Sequence, residues 1–363
     1  MRHFVFSIPI FTAFLLMSVI FIINLYWICG KKASKKVLFF TFFVSLFIIL
    51  AAFFRLHYSS FAILAISLTL VWLAFLPIVF IRLLNKILAC KFEKILRFSL
   101  LFLILGIYSY AWFNAHSPTV IRYQIAIDKP LKNNTKILLA SDLHLGNQVG
   151  KNMLKKLLNI IDKEDPDLIL MPGDIINDRA EIYQKRNYQE EFSQISAREG
   201  VFLSLGNHEF YGNIKNNIEV LNKTGKTLLI DEGKITNSGE FLIIGRDDWT
   251  NKKRLTVEKL LDKYNLENKI VIMLDHQPRE VEKIANFPVD IVVAGHTHKG
   301  QIFPANLIVR KIYGDYYYGY TKINNTHSFT TSGFGFWGTP FRTASRSEVF
   351  LIELQGKSST VQK

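Results

Sequence analysis

Four long apolar stretches dominate the first third of the chain. They run from about residue 4 to 28, 37 to 54, 61 to 81 and 98 to 113, and almost no charged residue interrupts them. A helix needs roughly 20 residues to cross the ~30 Å hydrocarbon core of a bilayer. The first stretch is too long for a signal peptide and no small-residue cleavage site follows it. The pattern therefore predicts a four-helix transmembrane region over residues 1–116.

Beyond residue 134 the pattern changes to short apolar runs that alternate with amphipathic segments. Residues 117–134, with Pro118 and Pro130, are interpreted as a linker, 135–356 as a soluble domain and 357–363 as a polar tail. Residues 152–162 have helical spacing of their apolar side chains. The short apolar runs predict buried strands of an α/β domain with substantial sheet. They are residues 136–140, 168–171, 201–205, 241–244, 270–274, 291–294 and 349–354.

Most of the positive charge belongs to the apolar third of the chain. Before residue 117 lie 11 of the 44 Lys/Arg residues but one of the 30 Asp/Glu, so +10 of the formal +14 is placed there. A nucleic-acid-binding protein would carry this excess on its soluble domain, so no nucleic acid is expected. The basic residues concentrate in the first and third connections between spans, which the positive-inside rule places in the cytoplasm. With four spans, the soluble domain then lies outside the cytoplasm.

Cysteine chemistry is not expected. The chain has two cysteines, Cys29 and Cys90, both next to apolar stretches and without metal-ligand spacing. The soluble region contains none.

Polar motifs follow five of the predicted strands. Five of the nine histidines in the chain fall in these strand ends. Because strand ends line the ligand crevice of an α/β sheet, the motifs are expected to converge. They are Ser141-Asp-Leu-His-Leu-Gly146, Gly173-Asp174, Gly206-Asn-His-Glu209, Asp275-His-Gln-Pro278 and Gly295-His-Thr-His-Lys-Gly-Gln301.

The donor types at these strand ends indicate a metal site. Carboxylate, amide oxygen and imidazole suit divalent Mn, Fe or Zn, and the absence of thiolates disfavours a structural zinc site. Two such ions about 3.5–4 Å apart suit phosphoester hydrolysis. Any one of the motifs alone is common and usually structural. All five in order, each after an apolar run, favour a two-metal hydrolase.

These motifs, in this order, resemble the calcineurin-like metallophosphoesterase superfamily over residues 136–354. The resemblance implies a four-layer sandwich, two sheets flanked by helices, with two divalent ions at the strand ends. It implies His208 as the general acid, a role that suits imidazole near neutral pH; the alternative is that His208 only orients phosphate. It further implies that one ion is held by Asp142, His144, Asp174 and His298, and the other by Asp174, Asn207, His276 and His296.

Within the superfamily, the Gly-His-Thr-His motif and the segment from Ser332 to Arg342 resemble a bacterial branch of membrane-associated phosphodiesterases. This implies a multi-pass protein of the bacterial inner membrane. One departure is Lys299, where that branch usually carries glycine. Arg342 is open to two interpretations, a bidentate contact with a substrate phosphate or a solvated surface residue.

Three functions remain open from the sequence. The first is a membrane-anchored phosphoesterase that hydrolyses a phosphomonoester or phosphodiester, with a lipid-linked substrate and the bilayer as its partners. The second is UDP-2,3-diacylglucosamine pyrophosphatase, whose cytoplasmic substrate conflicts with the orientation derived from loop charge. The third is a non-catalytic membrane scaffold or metal sensor that keeps the phosphoesterase fold.

Overall fold

The structure is a computed structural model that describes residues 2–54, 60–88 and 90–357. It divides into two compact units. The helical unit comprises Met1–Phe113 and Gly338–Phe341, and the sheet unit comprises Asn114–Trp337 and Arg342–Lys363. Of the predicted polar tail, residues 358–363 lie outside the described residues.

The helical unit is built from apolar helices. Among the described residues, the second, third and fourth helices are long and apolar enough to cross a membrane, whereas the first contributes a shorter apolar stretch, Phe14–Ile28. Three of the four predicted spans thus coincide with helices of sufficient length and apolar composition, and that these helices cross a membrane stays a prediction. Phe39, Phe40 and Phe47 are more than 60% exposed, as side chains that face lipid would be. The helices are α1 (Arg2–Ile28), α2 (Lys35–Phe53), α3 (Ser60–Ile87) and α4 (Glu93–His116).

The sheet unit contains two mixed sheets of six strands each, which confirms the predicted α/β class. In the first sheet the order is β1-β12-β2-β3-β4-β5, from strands β1 (Thr119–Pro130), β2 (Thr135–Leu139), β3 (Leu168–Pro172), β4 (Val201–Ser204), β5 (Thr227–Leu228) and β12 (Glu348–Lys357). In the second sheet the order is β10-β11-β9-β8-β7-β6, from strands β6 (Glu232–Ile235), β7 (Phe241–Gly245), β8 (Ile270–Leu274), β9 (Ile291–Ala294), β10 (Gly319–Ile323) and β11 (Thr326–Thr330).

Three apolar cores hold these elements together. One contains side chains from both sheets, among them Leu139 and Phe202 from the first and Ile272 from the second. The other two join each sheet to helices; Leu157 of α5 belongs to one and Leu260 of α10 to the other. The helices are α5 (Lys151–Glu164), α6 (Ala180–Lys185), α7 (Gln189–Phe192), α8 (Asn207–Tyr211), α9 (Ile214–Asn222), α10 (Val257–Leu261), α11 (Val281–Ile284) and α12 (Ala305–Tyr313).

The structure corrects the interpretation of residues 117–134 as a linker. Most of this segment is β1, which pairs in parallel with β12 at the edge of the first sheet. Ile125 and Ile127 are buried while the residues next to them are exposed. This alternation is the mark of an edge strand with one face on the core, and the two prolines stand before and at the end of the strand, where a ladder tolerates them.

The direction of five strands positions the functional residues. Strands β2, β3 and β4 are parallel neighbours in the first sheet, and β8 and β9 are parallel neighbours in the second. Parallel strands present their carboxyl ends at one edge of a sheet. The polar motifs all begin at these five carboxyl ends.

Candidate metal centre

The structure brings all of the predicted site residues together. Seven of the eight are almost completely buried, and His296 is half-buried. Each follows one of the five parallel strands by a few residues. Asp142 and His144 follow β2, Asp174 follows β3, Asn207 and His208 follow β4, His276 follows β8, and His296 and His298 follow β9.

One group of donor atoms is formed by Asp142, His144, Asp174 and His298. The Nε2 atoms of His144 and His298 lie 3.0 Å apart. Asp142 Oδ1 is 3.6 Å from His298 Nε2, and Asp174 Oδ2 is 3.7 Å from His144 Nε2. The predicted ligands of one ion therefore point at a common centre.

A second group is formed by Asp174, Asn207, His276 and His296. His276 Nε2 lies 3.2 Å from both Asp174 Oδ2 and Asn207 Oδ1. His296 Nδ1 lies 2.7 Å from the same Asn207 oxygen. Asp174 belongs to both groups, as a bridging carboxylate would.

The donor and acceptor atoms of the second group have the arrangement of a cation site. His276 Nδ1 lies 2.8 Å from the carbonyl oxygen of Pro172. A carbonyl oxygen can only accept, so Nδ1 carries the proton and Nε2 of the neutral ring has a lone pair. That lone pair faces the oxygens of Asp174 and Asn207, which are acceptors as well. A cation satisfies all three, and a carbonyl behind a ligating imidazole is the usual second contact of such sites.

Without an ion, the carboxylate of Asp174 favours a second proton on His276, in the place that a cation would take. Burial lowers the pKa of His276, but attraction to Asp174 outweighs it and holds this pKa well above its ordinary value. Burial raises the pKa of Asp174, yet His276 and His208 keep it well below the usual carboxyl range. Burial also depresses the pKa values of His144 and His298 strongly. These two rings are therefore neutral, the form in which imidazole binds a metal.

The backbone at the site is held in an unusual conformation. Five of the predicted ligands have a positive φ between 47° and 67°, where residues other than glycine are uncommon. Each such residue costs on the order of 1–3 kcal/mol and persists where the surrounding structure imposes it, which happens most often at functional sites. The five are Asp142, His144, Asp174, His296 and His298.

Glycines before three ligands let the loops approach one another. Gly173 has a φ of +80°, so it supplies a sharp turn. Gly206 and Gly295 act differently, because a Cβ at Gly206 would collide with Asp174 and one at Gly295 would collide with Asp142. At these two positions glycine is required because a side chain would collide with a predicted ligand, and not because the backbone turns sharply there.

His208 contacts a carboxylate that the sequence analysis did not single out. Its Nδ1 lies 2.6 Å from Asp178 Oδ1, and its ring centroid lies 4.6 Å from that of His144. Burial lowers the pKa of His208, but Asp174 and the hydrogen bond with Asp178 outweigh it and raise this pKa. Asp178 lies four residues beyond Asp174. The sequence feature that could have identified it is this second acidic residue after the same strand.

Glu209, also missed as a functional residue, ties two of the loops together. Its carboxylate accepts hydrogen bonds from the backbone N–H groups of Asp174 at 3.0 Å, Ile176 at 2.9 Å and Gly206 at 2.7 Å. Burial, together with the negative charge of Asp174, raises the pKa of Glu209 to about 8. Glu209 therefore belongs to the Gly-Asn-His-Glu motif because its carboxylate holds the two loops together.

The structure corrects the interpretation of Arg342 as a solvated surface residue, because Arg342 is fully buried. Its Nη1 donates to the carbonyl of Ser332 at 2.9 Å and to Ser345 Oγ at 2.8 Å, and its Nη2 donates to the carbonyls of Gly333 and Gly335. The same Nη2 lies 3.2 Å from His298 Nδ1. Arg342 therefore supports a predicted ligand from behind.

Aromatic side chains border the site. Tyr211 and Trp337 are 58% and 43% exposed, and their rings lie 4.9 Å and 5.9 Å from the ring of His208. Tyr313 lies 6.0 Å from the ring of His296, and its hydroxyl accepts from Arg279.

Lys299, the departure noted in the sequence, has a φ of 51°. This left-handed conformation explains why glycine suits the position.

The comparisons with known proteins agree with this site. A sequence profile described as calcineurin-like phosphoesterase matches residues 135–300. The chain is 30% identical over 271 residues to an uncharacterized metallophosphoesterase of Helicobacter pylori, with 71% of each chain covered. It is 31% identical over 278 residues to one of Campylobacter jejuni, covering 75% of this chain and 72% of the relative. These matches, with the buried strand-end cluster, define a metal-dependent phosphoric ester hydrolase. The chain belongs to the calcineurin-like metallophosphoesterases.

Other relatives are described as membrane proteins. A transmembrane protein with metallophosphoesterase domain from Danio rerio is 28% identical over 258 residues, covering 66% of this chain and 58% of its own. Together with the three apolar helices, this supports membrane association. Among solved structures, the calcineurin-like phosphoesterase YfkN from Bacillus subtilis is 15% identical, with a TM-score of 0.36 and coverage of 60% of this chain and 90% of that one.

Proposed function

We propose that this chain is a membrane-anchored phosphoesterase that uses two divalent ions to hydrolyse a phosphomonoester or phosphodiester. The observation that carries the proposal is Asp174, which faces two separate groups of nitrogen and oxygen donors. One ion would be held by Asp142, His144, Asp174 and His298, and the other by Asp174, Asn207, His276 and His296. The donor set suits Mn, Fe or Zn.

The ions, when bound, would supply an activated water and neutralise charge that develops on the phosphoryl group. The chain itself would supply the proton for the leaving oxygen. His208 is suited to this role because its imidazole lies beside the cluster and its pKa is raised, so it holds a proton near neutral pH. Asp178 would orient the ring through Nδ1. If His208 only orients phosphate, its replacement should lower the rate by the same factor whatever the leaving group.

The membrane region supports a substrate at the bilayer surface, with a lipid-linked phosphate as the leading class. We infer that all four N-terminal helices cross a bacterial inner membrane. The connection between α1 and α2 carries Lys31 and Lys32, and α2 begins with Lys35 and Lys36. The positive-inside rule assigns this end to the cytoplasm, and the hydrolase then lies outside it.

A direct assay tests the activity. The purified full-length chain, loaded with Mn²⁺, is expected to hydrolyse a generic aryl phosphodiester. Asp174→Ala and Asn207→Ala should each abolish turnover, whereas Asp262→Ala, at an exposed position away from the cluster, should leave it unchanged. Persistent activity in both ligand variants would refute the assignment. Metal binding without turnover on a broad phosphoester panel would instead favour the non-catalytic scaffold or sensor.

A topology reporter tests the orientation. Alkaline phosphatase fused at the carboxyl end of the chain is expected to be active, since that enzyme matures only outside the cytoplasm. An inactive alkaline phosphatase fusion, together with a fluorescent green fluorescent protein fusion at the same position, would place the hydrolase in the cytoplasm. That outcome would restore UDP-2,3-diacylglucosamine as a substrate candidate.

A further inference from the structure

One short segment carries much of the apolar surface of the sheet unit. In its described part, eight large apolar side chains are exposed, and four of them lie within ten residues around α12. They are Phe303, Leu307, Ile308 and Ile312, with exposed fractions of 46%, 59%, 61% and 59%. Scattered exposed apolar side chains are ordinary, but a contiguous patch marks an interaction surface.

Three of the four side chains of the patch form one face of the helix. At 3.6 residues per turn, Leu307, Ile308 and Ile312 fall within an arc of about 140°. No residue of α12 is fully buried. The opposite face, which includes Val309 and Tyr313, is half-buried against the rest of the unit. The apolar face of α12 therefore has no partner within the described residues.

Both charged residues of α12 are basic. Residues 303–314 contain Arg310 and Lys311 and no acidic residue. Both basic side chains are exposed, and no ion pair links either one to another described residue; the Arg310 guanidinium lies 5.9 Å from the ring of Tyr317. Lys311 falls inside the apolar arc, where a long side chain can lay its methylenes along apolar surface and keep its ammonium in the polar layer.

We propose that α12 docks on the bilayer, with its apolar face at the boundary between headgroups and acyl chains and its cations on anionic lipid. An amphipathic helix with basic residues beside an apolar face is the usual form of an interfacial element. A bilayer is favoured over a protein partner because the same chain contains three helices long and apolar enough to cross a membrane. The proposal does not depend on the phosphoesterase activity.

Docking of α12 would bring lipid headgroups to the metal cluster. The helix begins seven residues after His298, and Tyr313 at its end lies 6.0 Å, ring to ring, from His296. If the activity proposed above is correct, its preferred substrates are then phosphoesters carried in the bilayer.

Probe accessibility tests the docking without an activity assay. The full-length chain, with Cys29→Ser and Cys90→Ser, would be spin-labelled at Ile308→Cys and placed in nanodiscs containing phosphatidylglycerol. We expect the label to collide more with dissolved oxygen than with an aqueous nickel complex, and a label at the exposed control Lys253→Cys to show the reverse. A water-exposed label at 308 would overturn the proposal. Dipolar broadening between labels at 308 would assign the face to a second copy and would overturn it as well.

A kinetic comparison tests the consequence for substrates. Leu307→Ser combined with Ile308→Ser should lower the rate on an aryl phosphodiester lipid in vesicles about tenfold or more, and leave a water-soluble aryl phosphodiester unchanged. The control is Ile235→Ser, which removes an exposed apolar side chain on β6. Equal loss on both substrates would mean that the helix supports the fold and would argue against docking. If no variant turns over either substrate, the proposed activity fails while the accessibility result still decides the docking.

Discussion

The imidazole of His208 and the carboxylate of Asp178 are joined by a contact of 2.6 Å between Nδ1 and Oδ1. The histidine is almost fully buried, whereas the aspartate side chain is 41% exposed. Because the carboxylate accepts from Nδ1, it fixes the ring orientation and favours the protonated ring. The pair therefore has the arrangement of a general acid held by a second residue.

Replacement of the carboxylate tests this arrangement. Asp178→Asn should lower kcat about 10- to 100-fold for a phenyl phosphodiester, whose leaving oxygen needs a proton. The loss of kcat should be much smaller for a p-nitrophenyl phosphodiester, because p-nitrophenolate is a stable leaving group. Both rates are measured at equal metal content, with Asp262→Asn as the control. A loss that is equal for the two leaving groups would show that Asp178 supports structure and takes no part in proton transfer.

The convergence of the predicted ligands was accessible from the sequence because these residues lie close to strand ends. A buried apolar run followed by polar residues places those residues at the end of a strand, and parallel neighbours present such ends at one edge of their sheet. The seven predicted ligands follow this rule. Asp178 was not accessible in the same way, since its partner lies 30 residues away and depends on the path of two loops.

Strand β11 (Thr326–Thr330) was missed for a different reason. Its sequence is largely polar, so no apolar run marks it, yet all five residues are buried. Hydrogen bonds make this burial tolerable. Thr326 Oγ1 donates to the carbonyl of Val289 at 2.7 Å, and His327 Nδ1 lies 3.0 Å from the hydroxyl of Tyr320. Such partners belong to other parts of the chain and leave no local pattern.

Removal of the ions should lower stability as well as activity. Asp142 and Asp174 are almost fully buried carboxylates that face the same cluster, and an ion that binds only the folded chain stabilises it by about 2.7 kcal/mol at a hundred times its dissociation constant. We expect EDTA to lower the midpoint of thermal unfolding and Mn²⁺ to restore it. Two ions per chain should be found by elemental analysis. Asp174→Ala should make the midpoint insensitive to EDTA; an equal response in that variant would place the stabilising ion elsewhere.

Arg342 should matter for stability rather than for substrate binding. Its guanidinium donates to the carbonyls of Ser332 and Gly333 and to Ser345 Oγ. Arg342→Met keeps the aliphatic bulk but leaves these buried acceptors unpaired, at a cost of about 1–3 kcal/mol for each group that stays unsatisfied. The free energy of unfolding should fall by several times the change in Arg198→Met, an exposed control. A variant of normal stability with a raised KM would revive the phosphate-binding interpretation.

The acid sensitivity of the sheet unit should depend on an ion network beside the site. Arg246 and Arg254 each contact Asp275, at 2.7 Å and 2.9 Å, and each contacts Glu280, at 3.0 Å and 2.7 Å. Burial raises the pKa of Glu280, but Arg246 and the hydrogen bonds of the carboxylate outweigh it and lower this pKa to about 2, from 4.5. Asp275 directly precedes His276, so the network also steadies that strand end.

The sign of the pH dependence follows from linkage. A carboxyl group whose pKa is lower in the folded state stabilises that state at pH values above its unfolded pKa, and the contribution is lost as the pH falls toward the folded pKa. The difference in unfolding free energy between the native chain and Glu280→Gln should therefore be constant above about pH 5 and shrink steadily below pH 4.5. Denaturant titrations in EDTA separate this effect from acid release of the ions. A difference that stays constant down to about pH 3 would show that the ionised carboxylate contributes nothing.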